Sequence, residues 1–270
     1  MRDLLIALVQ ILPASWLRRV GAWQWTGPLA RRLVGASSDW IRRQDVIISH
    51  GVGRGLRFNA AGANPGYALG TSEPEVQELI ASLVKIREVV YDIGANVGFY
   101  TVLCGRLVGP GGAVFAFEPL AETARAAKHN AQLNGFVQVT VFDKAVGAKA
   151  GTVRMALREE STWARLADAS TEGPTITVQM ITIDDLVKAG TIRPPDFIKI
   201  DVEGAELEVI EGMRETIRAH RPVILCEMHG KNREFAAQMA GLGYEVRPLE
   251  SELPLAEAKW DVHALATPKS

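Results

Sequence analysis

The chain has 270 residues, enough for one large α/β domain with an appendage. Apolar residues make up 47% of it, ample for a core, and a formal net charge of −1 gives no global reason to bind nucleic acid. Charge is unevenly placed, because residues 1–57 hold nine Arg against three Asp. Cys104 and Cys226 fall on a predicted helix and a predicted strand, which fits two buried thiols in a reducing compartment.

Leu4 to Leu12 is apolar except for Gln10, and Arg18 and Arg19 follow. The stretch is too short to span a bilayer, which takes about 20 apolar residues. It makes a poor secretory signal, since Asp3 offsets its single Arg and no small-x-small cleavage site follows cleanly. Trp16, Trp23, Trp25 and Trp40 are interleaved with Arg in the same region. Two readings are open: an element lying at a membrane interface, and a helical cap or homodimer contact with its apolar face buried. The expected location is the cytoplasm, peripheral at the inner face of the membrane under the first reading.

Residues 3–35 are predicted to be helices broken near Pro13 and Pro28. Residues 45–58 read as two strands (Val46-Ile47-Ile48 and Leu56-Arg57-Phe58) joined by a glycine turn, and Gly62 to Gly70 as a loop. Pro74 to Lys85 is predicted helical, with Ser72 as its cap and Glu75 in its first turn. Strand 88–93, helix 99–108, strand 113–118, helix 120–133 and strand 137–143 then alternate. Gly147 to Gly173 is an excursion with one strand at Thr152–Ala156. Strand 176–180, helix 183–189, strand 196–201, helix 204–219, strand 222–228, helix 231–241 and strands 244–247 and 261–266 follow. Alternating βα units call for a parallel sheet with helices on both faces. The last two strands, with no long helix between them, predict an antiparallel edge. The expected division is an appendage over residues 1–61 and a main domain over 62–270.

The chemistry-bearing stretch is Tyr91-Asp92-Ile93-Gly94-Ala95-Asn96-Val97-Gly98-Phe99-Tyr100-Thr101, a strand, a glycine-rich turn and a helix start. Such a turn lies at the carboxyl edge of a parallel sheet, where ligands bind. Its glycines are spaced G-x-x-x-G, not the G-x-G-x-x-G of dinucleotide sites. Asp92 would repel a pyrophosphate and suits an amine-bearing ligand. The next strand ends in Glu118-Pro119, and a carboxylate there can accept from both hydroxyls of a ribose. A ribose at one end and a cationic amino acid at the other fit S-adenosylmethionine.

With Phe117-Glu118-Pro119 and the string Asp196-Phe197-Ile198-Lys199-Ile200-Asp201-Val202-Glu203-Gly204-Ala205-Glu206, the chain resembles the FkbM-family S-adenosylmethionine-dependent methyltransferases. The resemblance runs from about Gly70 to Pro268. It implies a Rossmann-like class I methyltransferase fold, with a mostly parallel seven-stranded sheet, and a hydroxyl acceptor on a sugar, glycolipid or secondary metabolite. Expected cofactor-binding residues are Glu73, Asp92, Gly94, Ala95, Asn96, Gly98, Thr101, Glu118, Pro119, Asp143 and Ala145. Asp143 ends the third strand, where adenine should lie. Glu73 matches a family glutamate, although Ser72 departs from the aromatic residue that commonly precedes it.

Asp201, Glu203, Glu227 and His229 converge at the ends of two neighbouring strands. An alcohol acceptor needs a base, and His229 suits the task, with Asp201 or Glu203 to orient it. A second mechanism uses Asp201, Glu227 and His229 as ligands to Mg²⁺ or Mn²⁺, and is not favoured. The rival readings are a nicotinamide-dependent oxidoreductase, which the glycine spacing opposes, and a non-catalytic membrane-associated scaffold, which Asp92, Gly94 and Glu118 oppose. The partner expected is a small-molecule or glycan acceptor, and no nucleic acid.

Overall fold

The computed structural model describes residues 43–157, 164–166 and 173–269. The helices expected within 3–35, the Trp- and Arg-rich stretch and most of the loop from 157 to 173 lie outside the described residues. No helix among those described is long and apolar enough to cross a membrane.

The main sheet contains β3 (Val89–Ile93), β4 (Ala113–Phe117), β5 (Val139–Phe142), β10 (Phe197–Ile200), β11 (Val223–Glu227), β12 (Tyr244–Pro248) and β13 (His263–Pro268). Their order is β12-β13-β11-β10-β3-β4-β5. β13 is antiparallel to both its neighbours, and the other adjacent pairs are parallel. The seven strands and antiparallel edge expected from the sequence are present. Within that edge β13 is wedged between β11 and β12. Strand order reverses between β3 and β10, which opens a crevice over their carboxyl ends.

β3 is buried along its whole length, and its side chains alternate between two apolar layers. Val89, Tyr91 and Ile93 join Ile198, Ile200, Ile224 and Cys226 under α6 (Glu206–Glu211), α7 (Arg214–His220) and α8 (Asn232–Gly241). Val90 joins Val114, Phe197 and Leu225 under α2 (Pro74–Leu83) and α3 (Phe99–Val108). The same alternation turns Asp92 toward α3. A further helix, α4 (Ala121–Leu133), connects β4 to β5. Cys104 and Cys226 are buried free thiols, one in each apolar layer.

The short ribbon of β1 (Val46–Ile47) and β2 (Arg57–Phe58) is packed onto this core. Ile48, Leu56, Phe58 and Ala60 share a cluster with Val97, Phe99 and Val102, and Phe58 meets Phe99 edge-on at 5.7 Å. The buried Asn130 accepts from Asn59 N at 2.7 Å and donates to Asn59 O and Val97 O, both at 2.8 Å. The expected division after residue 61 thus separates segments that this cluster joins.

Three local expectations change. The stretch Gly62–Gly70 is not all loop, because it holds α1 (Pro65–Leu69), capped by Asn64 Oδ1 accepting from Gly66 N. Glu73, not Ser72, stands at the cap position of α2, with φ at +44° and no capping bond from its side chain. The helix expected over 204–219 is two helices. Gly212 presses on Gly147, where a Cβ would come within 2.0 Å of the carbonyl oxygen. Asp184, at the start of α5 (Ile183–Lys188), accepts from Glu215 N and Thr216 N at 3.0 and 2.8 Å. A cap supplied from outside the helix thereby starts α7 afresh. The excursion, the strand after it and the short strand before it build a second sheet of β6 (Ala145–Val146), β7 (Gly151–Leu157), β8 (Ala164–Leu166) and β9 (Thr175–Ile181), ordered β6-β9-β7-β8.

Candidate active site

The turn after β3 is held so tightly that its glycines are obligatory. Gly94 has φ +82°, and a Cβ there would lie 1.7 Å from the carbonyl oxygen of Asp201. Gly98, at φ +83°, faces Ala127 of α4, with room for no Cβ. Between them Asn96 takes φ +49° and accepts from Val97 N at 2.7 Å. Gly94 N and Ala95 N both donate to Phe117 O, which ties the turn to the end of β4.

Asp92 is 1% exposed. Its Oδ2 accepts from Thr101 Oγ1 at 2.6 Å, while Oδ1 is buried with no hydrogen-bond partner among the described residues. Burial pushes this carboxyl up, against the pull of Lys199. A buried acceptor without a donor suits a ligand's amino group. Glu118 is fixed by two amides, accepting from Asn96 N on Oε2 at 3.0 Å and from Leu120 N on Oε1 at 2.9 Å. Each oxygen keeps a second lone pair for a ribose hydroxyl. Burial pushes Glu118 up to about 7, against those same amides.

Pro119 follows at the mouth of this turn and is half-buried. Phe117 stacks on Phe142 at 5.0 Å, so Asp143 ends β5 beside the end of β4, while Ala145 is buried in the second sheet. These acceptors and the glycine turn fit an adenosyl group with an amino-acid tail.

The strand ends on the other side of the crevice carry a chain of ionisable groups. Tyr100 Oη donates to Glu73. Lys199, 2% exposed, lies 4.7 Å above the Tyr100 ring centroid and donates to Asp201 Oδ2 at 3.2 Å. Burial would lower its ammonium, but Asp201, Asp92, Glu227 and Glu73 outweigh that and hold it above its ordinary value. Tyr67, stacked on Phe99 at 5.1 Å, is kept a neutral phenol by burial and by Asp201 and Glu73. β13 brings in a residue that sequence spacing did not reveal, because Glu227 and His263 are register partners. His263 Nε2 lies 3.6 Å from Glu227 Oε2, and its Nδ1 is 2.6 Å from Glu250 Oε1.

His229 stands at the centre of this arrangement. Its Nδ1 is 2.8 Å from Oε1 of Glu206, a residue with no exposed surface, and the same oxygen accepts from Gly204 N at 3.0 Å. A carboxylate at that nitrogen sets the proton on Nδ1 and leaves Nε2 with its lone pair. Nε2 is 3.8 Å from Glu227 Oε1. Burial alone would lower the imidazole, but Glu206, Glu203 and Asp201 raise it above its ordinary value. Glu203 occupies the turn after Asp201 with φ +22°. Glu206 is therefore the orienting partner, while Asp201 is engaged by Lys199. Ligand-capable atoms of Asp201, Glu227 and His229, and of Glu73, Glu227 and His263, lie within 4.8 Å of one another in each set.

The profile of the Methyltransferase FkbM domain matches residues 92–253. Hexuronic acid methyltransferase AglP of Haloferax volcanii is 30% identical over 159 residues, covering 58% of this chain and 62% of that protein. The 31-O-demethyl-FK506 methyltransferase FkbM of Streptomyces tacrolimicus is 27% identical over 192 residues, covering 59% and 73%. The crystal structure of methyltransferase FkbM from Methylobacillus flagellatus superposes with a TM-score of 0.47 at 17% identity, over 75% of this chain and 52% of that one.

Proposed function

The chain belongs to the FkbM methyltransferase domain family, and from that premise we propose that it is an S-adenosylmethionine-dependent O-methyltransferase acting on a hydroxyl of a sugar, glycolipid or similar metabolite. The observation that carries the reading is the His229–Glu206 pair, set across the crevice from the Gly94 turn. Glu118 would hold the ribose and Asp92 the amino group. Gly94, Ala95, Asn96 and Gly98 would form the floor, with Thr101 fixing Asp92. Pro119, Asp143 and Ala145 would border the adenine, and Glu73 the methionine end. S-adenosylmethionine supplies a methyl group already activated by its positive sulfur. The residues of the chain then have two tasks, to align the acceptor oxygen and to take its proton.

His229 Nε2 takes that proton, and the buried Glu206 carboxylate stabilises the imidazolium that results. Asp201 and Glu203 accept from other hydroxyls of the acceptor. A hard cation finds suitable donor atoms here, but Lys199 and His263 already balance Asp201 and Glu227, so a metal would have to displace them. We therefore favour a metal-independent base. A sugar acceptor is supported by the relative named as a hexuronic acid methyltransferase. The test is incubation of the full chain with S-adenosylmethionine and a panel of methyl glycosides, amines and thiols, with and without chelator. A glycoside gaining one methyl group in the presence of chelator is the expected product. Transfer only to amines or thiols, or loss of transfer with chelator, overturns the reading.

A further inference from the structure

Trp260 is 63% exposed, yet its backbone is firmly held. It lies in the connection between β12 and β13. Trp260 O accepts from Gly230 N at 3.0 Å, Lys259 O accepts from Asn232 Nδ2 at 2.6 Å, and Val262 O accepts from Met228 N at 2.9 Å. Three hydrogen bonds thus fasten residues 259–262 to the segment that follows β11, and Asn232 itself is buried. The indole is presented on a fixed support beside the proposed base, with its ring centroid 6.5 Å from that of His229 and the planes at 56°. Leu253, 54% exposed, lies in the same connection. Ile86 and Val137 precede β3 and β5, at the opposite end of the sheet from the crevice.

An exposed indole next to a row of hydrogen-bond acceptors matches a particular ligand chemistry. A pyranose ring has a flat face of axial C–H bonds and a rim of hydroxyls. Stacked on an indole, the apolar face is covered while the rim stays free to reach acceptors. Asp201, Glu203, Glu227 and His229 supply such acceptors at the neighbouring strand ends. A flat aromatic acceptor would use the indole but few of these acceptors, and an acyl chain would use none of them. We propose that Trp260 is the stacking platform for the pyranose ring of the acceptor, an assignment that rests on the glycosyl reading given above.

The experiment uses the full chain saturated with S-adenosylhomocysteine, with methyl β-D-glucopyranoside and methyl β-D-glucuronopyranoside as probes. Saturation-transfer NMR should mark the axial ring protons of a bound glycoside, and Trp260→Ala should abolish that signal. In turnover assays on whichever glycoside is methylated, Trp260→Ala should raise KM at least about fivefold, the scale of an aromatic stacking contact, with kcat little changed. Trp260→Phe should recover most of the loss, and S-adenosylhomocysteine affinity by calorimetry should be equal in all three proteins. If glycosides are bound and methylated equally by wild type and Trp260→Ala, the platform is refuted while the glycosyl reading stands. If wild type neither binds nor methylates a glycoside but methylates a non-sugar alcohol, the glycosyl reading fails and the platform with it.

Discussion

The carbonyl oxygen of Asp201 occupies the space that a side chain on Gly94 would need, with only 1.7 Å to an ideal Cβ. One contact therefore joins the glycine turn after β3 to the end of β10. Gly94→Ala must also adopt φ near +82°, a conformation costing non-glycine residues about 1–2 kcal/mol before any clash is counted. The variant should lose S-adenosylhomocysteine binding and melt at a lower temperature. Wild-type affinity and Tm in Gly94→Ala would show that the two strand ends separate freely.

Glu118 should make cofactor affinity depend on pH. Burial raises it to about 7, whereas hydroxyl donors from a ribose favour its ionised form. Binding then releases a proton, and affinity weakens as pH falls below about 7. Glu118→Gln should lower S-adenosylhomocysteine affinity at least roughly tenfold at pH 8, from loss of hydrogen bonds to a charged acceptor. It should also flatten the pH dependence. Calorimetry at several pH values reads both effects, and a steep slope surviving in Glu118→Gln would remove this residue from the binding role.

His229→Ala should cut turnover by about 10²–10⁴, the usual contribution of a general base, and leave S-adenosylhomocysteine binding intact. Because His229 is held above its ordinary value, the acid limb of kcat/KM should lie above pH 6.5. Glu206→Gln removes the hydrogen-bonded carboxylate that raises His229 most, so that limb should move to lower pH while the maximal rate drops. An unmoved limb in Glu206→Gln would mean that another group titrates.

Glu227 and His263 predict a two-sided stability profile. Burial would raise Glu227, but His263 and Lys199 hold it at about 2, below its ordinary 4.5. Burial would lower His263, but Glu227 and Glu250 lift it to about 9, above its ordinary 6.5. The carboxylate's contribution is complete above pH 4.5 and is lost as pH falls through about 2. The imidazolium's is complete below pH 6.5 and is lost as pH rises through about 9. Tm measured across this range should decline on both sides, and Glu227→Gln should shrink both declines. A variant that keeps the full alkaline decline would assign it to other groups.

Phe58→Ala tests whether the β1–β2 ribbon belongs to the core. Phe58 is fully buried against Phe99, and emptying such a site costs about 3–5 kcal/mol. Urea unfolding should show a single transition shifted by that amount. A loss below about 1 kcal/mol would make the ribbon a loosely attached appendage.

The parallel sheet was legible because β3, β4, β10 and β11 are short, mainly apolar runs, each with an acid at or next to its carboxyl end: Asp92, Glu118, Asp201 and Glu227. The glycine turn was legible because its steric demand is local. Less visible was anything decided across long sequence separations. Asp184 splits one predicted helix into two from about thirty residues away. Glu206 could be quoted as part of a motif, but its role depends on burial and on meeting His229 from another element. His263 enters the site only because β13 pairs with β11, and no spacing between the two residues announces that pairing. The Phe58 segment looked peripheral because two-residue strands carry little periodic signal.

The wedged position of β13 also sets an order of assembly during synthesis. Residues that form β11 leave the ribosome well before residue 263, so β11 must wait with one backbone edge unpaired and with Glu227 lacking its imidazole neighbour. β12 emerges first yet cannot simply zip onto β11 without occupying the place reserved for β13. A nascent chain paused in this interval presents a hydrophobic strand edge that another molecule could extend. Closure of the sheet and protection of that edge are therefore gained in the same event, the arrival of residues 263–268.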